Sequence, residues 1–176
     1  ELRIENSAFL ANVAPSSLVH GSGFGPIELV NLPVVANRLS LPNRTLFSQS
    51  DIAGGPSMDI QSCIFWRNAS GGQTGEDVPF QFTGGAATPP VIGWSCIDQW
   101  TGTIPSTGVI SLDPVFLDSL GPDGIPFTGD EDLRLAAVSP CIDAGNNEPV
   151  IAAGIEFDLV GVTRRIDDAA APDTGN

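Results

Sequence analysis

The sequence contains no lysine and no tyrosine, a single methionine and a single histidine, and its seven cationic side chains are all arginine. Set against 21 aspartates and glutamates, they leave a net charge of −14. Phosphate binding needs clustered Lys and Arg, so a nucleic-acid partner is excluded, and an anionic membrane surface is disfavoured on the same ground. No apolar run approaches the roughly 18–20 residues of a spanning helix; the stretch PVIAAGI, residues 149–155, is typical of the longest. No transmembrane segment is therefore expected. Cys63, Cys96 and Cys141 have no CxxC spacing, which argues against a zinc knuckle and allows at most one disulfide. GxSxG, HExxH, a phosphate-cradling glycine loop and a dinucleotide fingerprint are all missing. There is no initiator Met or signal peptide at Glu1, where a strand-like pattern starts at once, so the chain reads as a piece of something longer. With 41% hydrophobic and 16% charged residues it is too apolar for a disordered acidic tail. A single domain over residues 1–176 with a sizeable core is expected.

The acidity is uneven. Residues 1–111 hold eight acids and four arginines, whereas residues 112–176 hold thirteen acids and three arginines, a local charge of −10.

Internal repetition organises the first part. LRIENSAFLANVA from Leu2 lies over IELVNLPVVANRL from Ile27 and MDIQSCIFWRNAS from Met58. Leu2, Ile27 and Met58 then align, as do Ile4, Leu29 and Ile60, then Phe9, Val34 and Phe65, with a fixed asparagine at Asn12, Asn37 and Asn68. A fainter fourth copy, VIGWSCIDQW from Val91, aligns Cys96 with Cys63 and Asp98 with Phe65. Each copy begins with period-two alternation, but the five residues from Ile4 to Phe9 break the phase, so the strand must bend between them. Val, Ile and Phe separated by Gly and Pro clusters such as HGSGFGP, NASGGQTG and TGGAATPP exclude a helical reading. Short bent strands at this interval describe an all-β solenoid of about four coils over residues 1–111, stacked like on like. Asn12, Asn37 and Asn68 then form a turn ladder, for which a sugar-binding row is the competing reading. Cys63 and Cys96 are expected one above the other in the core, as small buried hydrophobes or as a disulfide.

The coils look like those of right-handed parallel β-helix repeat proteins. SLDPVFLD (residues 111–118) and GPDGIPFTGDEDLRLAAVSPCIDAGNN (residues 121–147) resemble the closing segment of secreted or surface β-helix proteins of bacteria, often of choice-of-anchor type, whose elements read DPLF, DYRL and SPCIDAG. The resemblance covers the architecture of the whole chain and about sixty residues of motif. Near the end EFDLVGVTRR departs from the family's pattern, with Val160 where a second Asp is usual and Val162 and Thr163 in place of Asn-Pro. It implies a right-handed parallel β-helix outside the cell or on its surface.

Residues 112–176 read as a loop-rich acidic cap, with Val115, Phe116 and Leu117 as one more strand and Leu133, Leu135, Val138 and Ile142 covering the open end. Asp118, Asp123, Asp130, Glu131 and Asp132 lie in fifteen residues with three glycines, a composition able to wrap oxygens around Ca²⁺. An EF-hand fails, because Ser119 and Gly121 fall where carboxylates are needed. A different calcium loop through Asp118, Asp123, Asp130 and Asp132 and a solvated acidic loop both stand.

For catalysis the coils offer few groups. Asp59, Asp98, Arg3 and Arg67 are the candidates for lyase or hydrolase work, and surface pairing explains them equally. His20, alone in a glycine-rich loop, reads as exposed. Trp94 and Trp100 are the candidate sugar-stacking residues, Trp66 being the third tryptophan. The expected function is a non-catalytic extracellular or cell-surface module for structure or recognition, touching polysaccharide or neighbouring copies. Alternatives are a polysaccharide-active enzyme or its fragment, and a filament subunit joined at the strand edge of Leu2.

Overall fold

The computed structural model describes residues 2–22, 27–41, 44–50, 58–70, 82–83, 89–102, 104–125, 128–159, 161–164 and 166–175. Most of the glycine-rich connections expected between copies fall outside this set. Among the described residues the chain is all-β apart from one short helix. The first round runs through β1 (Leu2–Glu5), β2 (Phe9–Leu10), β3 (Val13–Ala14) and β4 (Val19–Ser22). The second follows as β5 (Ile27–Val30), β6 (Pro33–Val35), β7 (Arg38–Leu39) and β8 (Phe47–Ser50), and the third as β9 (Asp59–Gln61), β10 (Ile64–Trp66), β11 (Ala69–Ser70) and β12 (Phe82–Thr83). β13 (Val91–Gly93) and β14 (Cys96–Ile97) open a fourth, and β15 (Ser106–Thr107) adds a last strand to the first sheet.

Each strand pairs in parallel with its counterpart one round away, giving four sheets ordered β1-β5-β9-β13-β15, β14-β10-β6-β2, β11-β7-β3 and β12-β8-β4. The register of the first three copies follows the repeat: Leu2 opposes Ile27, Leu29 opposes Ile60, and Val34 lies between Phe9 and Phe65. Ile27, Leu29, Met58, Ile60 and Ile92 of the first sheet or its approach meet Val34, Phe65 and Ile97 of the second, all within 1% of full burial. Phe47 crosses the interior from the fourth sheet. Its ring meets Phe9 edge-on at 5.4 Å and Phe65 at 5.9 Å between centroids.

The bend after each of β1, β5, β9 and β13 is made by one residue in left-handed conformation: Asn6, Asn31, Ser62 and Trp94, with φ between 45° and 62°. A second bend repeats this at Ala11, Ala36, Arg67 and Gln99. Such backbone costs a non-glycine residue roughly 1–2 kcal/mol, and stacked repetition holds it in place. The asparagine ladder follows directly. Asn37 is fully buried, its Nδ2 donating to Phe9 O at 2.8 Å and to Asn68 Oδ1 at 3.0 Å, while its Oδ1 accepts from Asn12 Nδ2 at 2.9 Å. The left-handed residue is thus the one before each asparagine, and burial of Asn37 and Asn68 removes them from any sugar-binding row.

The fourth copy differs from expectation by one residue. Ile92 opposes Ile60, Cys96 opposes Ile64 and Ile97 opposes Phe65. A one-residue slip moves every side chain of a strand to the other face. The observed register keeps Ile92 and Ile97 inside and sets Ser95, not Cys96, against Cys63, whose N–H donates to Ser95 Oγ at 3.1 Å. Cys96 therefore leaves the core on the outer face.

The described residues between 112 and 175 run along the side of the stack. β16 (Phe116–Asp118) pairs antiparallel with β17 (Asp132–Leu135), one residue later than expected because Val115 takes a left-handed turn with φ 49°. α1 (Asn147–Ala152), capped by the Asn146 side chain, tucks Val150 against Val30 of the second round, and Ile155 just after the helix joins them. Asn146 exchanges two hydrogen bonds with Ser62 Oγ in the third round, at 3.1 and 2.8 Å. Asn6 of the first round donates to Phe157 O at 3.0 Å and accepts from Arg164 Nη1 at 2.8 Å. The segment thus travels back from the fourth round to the first, and Val138, expected to cover an end, is 80% exposed. The left-handed bend makes this route, because it turns the Asn6 and Ser62 side chains outward. No helix among the described residues is long and apolar enough to cross a membrane.

Candidate functional site

The first and second sheets differ on their outer faces. Arg3, Glu28 and Asp59 stack on the first, where Arg3 pairs with Glu5 at 2.6 Å and Glu28 at 3.0 Å, and Asp59 accepts from Gln61 Nε2 at 2.8 Å. The second sheet is apolar outside as well as inside: Leu10, Val35 and Trp66 form one outer row, and Pro33, Ile64 and Cys96 another. A parallel sheet with two apolar faces needs covering on both. The β16–β17 hairpin supplies the cover through Phe116 and Leu133.

The cover leaves two clefts. A pocket of about 160 Å³ has Leu10, Val35 and Trp66 as its floor, with Arg67, Asp113 and Glu131 among its polar lining. Asp113 accepts from Val115 N at 2.9 Å, and Glu131 from Thr128 N at 2.7 Å and Gly129 N at 3.0 Å, so both carboxylates face turn amides of the hairpin. A larger cleft of about 800 Å³ follows the first bend, with Ser62, Trp94 and Cys96 on one wall and Cys141, Asp143 and Arg164 on the other. Burial lowers the Arg164 pKa below its ordinary value.

The cysteines divide between core and cleft. Cys63 is 1% exposed, and burial pushes its thiol up to about 12. Cys96 and Cys141 are in side-chain hydrogen-bond contact; that bond, then burial, raises Cys96, and the same bond lowers Cys141. Cys141 is fixed by Ser139, whose buried hydroxyl donates to Pro114 O at 2.5 Å and accepts from Cys141 N at 3.1 Å.

The tryptophans singled out by sequence stand apart. Trp94 lies at the first bend, its ring against Gly108, where a Cβ would come within 2.3 Å of Trp94 Cε3. Trp100 occupies the fourth-round place of the asparagine ladder and packs on the core. Trp66, which sequence left undistinguished, floors the smaller pocket. Its signal was an aromatic on the outward parity of a strand whose other outward residues are also apolar.

The four carboxylates proposed for calcium form local turns. Asp118 accepts from Leu120 N at 3.1 Å and Gly121 N at 3.0 Å, Asp123 from Ile125 N at 2.8 Å, and Asp130 from Thr128 Oγ1 at 2.9 Å. Hydrogen bonds from the Arg134 side chain hold the Asp132 carboxyl down at about 2. Asp118 and Asp130 both adjoin Gly121, but among the described residues no three His, Cys, Asp or Glu side chains gather as a metal site. Of the catalytic candidates, Asp98 Oδ2 accepts from Arg67 N at 3.4 Å at the second bend, while Asp59 and Arg3 are on the first sheet. His20 Nδ1 lies 2.8 Å from Ser48 Oγ on the fourth sheet. No protein-family model matches the chain, and neither does a curated protein or a solved structure.

Proposed function

We propose that the chain is a right-handed parallel β-helix module that works outside the cell or on its surface, as a scaffold that contacts polysaccharide without transforming it. Parallel pairing of each strand with its counterpart one round away supports the β-helix reading. The extracellular placement rests on the resemblance of residues 111–147 to the closing segments of bacterial surface β-helix proteins.

The observation that carries the binding reading is the smaller pocket. An aromatic floor beside a guanidinium and two carboxylates suits a sugar ring, which stacks its C–H face and hydrogen-bonds its hydroxyls. Asp113 and Glu131 accept backbone N–H there, which holds both carboxylates in place beside the aromatic floor. Trp66→Ala is expected to weaken binding of a soluble acidic or neutral polysaccharide by about tenfold, measured by calorimetry, with Trp94→Ala unchanged. Wild-type protein that binds none of a polysaccharide panel, or releases reducing ends from one, overturns the reading.

The Asp118 and Asp130 carboxylates beside Gly121 supply the remaining support for Ca²⁺ in the acidic loop. A Tm that falls in EGTA identifies a calcium-held loop. An unchanged Tm, the result favoured by the hydrogen bonds of the four aspartates, leaves them as turn formers.

A further inference from the structure

Cys96 points out of β14 on the apolar outer face of the second sheet, and Cys141 enters the same cleft from the turn after Ser139 and Pro140. Residues 112–114 anchor both, Cys96 Sγ lying 3.2 Å from Leu112 O, and Ser139, which accepts from Cys141 N at 3.1 Å, donating to Pro114 O; the two side chains share a hydrogen bond there, although forty-five positions separate them in the sequence. A disulfide needs Cα atoms about 4.4–6.8 Å apart, a span that two side chains sharing a hydrogen bond can meet. The environments also differ in a useful sense. Cys96 is buried at 3% exposure, whereas Cys141 is only half-buried and open to the cleft. Cys63 is sealed in the core, where its Sγ faces Gln61 O at 3.2 Å and Leu29 O at 3.5 Å.

We propose that Cys96 and Cys141 form a disulfide in an oxidising milieu, and that this bond fastens the C-terminal segment to the fourth round. The oxidant is a disulfide of another molecule, either a small thiol in its oxidised form or a thiol oxidoreductase. The Cys141 thiolate attacks one sulfur of that disulfide, forming a mixed disulfide and expelling the first thiolate, which takes up the proton Cys141 gave up. Cys96 then loses its proton and attacks the Cys141 sulfur, expelling the second thiolate, which is protonated in turn. Two protein thiols are oxidised by two electrons, and one external disulfide is reduced to two thiols. Cys141 acts first because it is the exposed partner and the hydrogen bond from Cys96 favours its thiolate. The inference is independent of which ligand the clefts take.

The test is oxidation of the whole chain in a glutathione redox buffer. Under denaturing conditions the reduced protein is expected to show three reactive thiols and the oxidised protein one, with a peptide map joining Cys96 to Cys141. Closing a loop of this length is expected to raise Tm by on the order of 10 °C. Cys63→Ser is expected to keep the oxidation-dependent rise, and Cys141→Ser to lose it while melting like the reduced wild type. Three thiols persisting in oxidised wild type, a bridge to Cys63, or an oxidised protein that melts no higher than the reduced one would each overturn the proposal. Because oxidised and reduced wild type are compared directly, a variant that fails to fold does not affect the outcome.

Discussion

Phe65→Ala is expected to lower the free energy of unfolding by about 3–5 kcal/mol, read as a fall in the urea midpoint with little change in slope. Phe65 is fully buried and is stacked between Val34 and Ile97 in the second sheet, with Phe47 edge-on to its ring. Neighbours held in register by parallel hydrogen bonds above and below cannot slide into the space, so most of the ring's volume remains as a cavity. The loss is a large share of the roughly 5–15 kcal/mol by which folded domains are stable. A change below about 1 kcal/mol would mean that the rounds close up independently, against the shared core described above.

The second large effect is at Asn37. Asn37→Ala is expected to cost about 2–4 kcal/mol, because it strands Phe9 O and removes the Asn37 Nδ2 donor from Asn68 Oδ1 inside the stack. Asn37→Asp should cost more at neutral pH. Its carboxylate retains the acceptor role toward Asn12 but confronts Phe9 O and Asn68 Oδ1, both acceptors, in a site without water. Burial raises the pKa of such a carboxyl in the folded state, so the native state takes up its proton at higher pH than the unfolded chain does. The variant's deficit is therefore expected to shrink as pH falls toward the unfolded carboxyl range and to be largest above the folded-state pKa. Urea titrations at several pH values measure it. A deficit independent of pH would show that the side chain at position 37 reaches solvent.

Much of the stack was legible in the sequence, because identical layers force like residues to align. Leu2, Ile27 and Ile4, Leu29 and Ile60 could be paired by inspection, and so could the asparagines. The fourth copy was harder: matching Cys96 to Cys63 by residue type outweighed the parity that keeps Ile92 and Ile97 inside. That alignment also places Cys96 in the core, whereas the observed register turns its thiol outward. The position of residues 112–175 was hidden for another reason. Leu133 and Leu135 alternate as a strand should, but alternation does not say what the strand rests on. The missing information lay elsewhere, in Leu10, Pro33, Val35, Ile64 and Trp66, whose outward parity marks a surface that cannot face water. The same row would have directed attention to Trp66 ahead of Trp94 and Trp100.

The route of the C-terminal segment also sets an order of events. Asn146 reaches Ser62 across 84 residues, Phe157 reaches Asn6 across 151, and Arg164 reaches the same Asn6 across 158. The rounds themselves close over distances of about one repeat, so they can assemble progressively as the chain emerges. The final segment has nowhere to dock until several rounds stand in register, and its contacts span nearly the whole chain. Loop closure of that length is slow relative to local pairing. Until it occurs, the outer apolar row of the second sheet is bare, and the interval between stacking and docking is when a growing chain is most exposed to association with others.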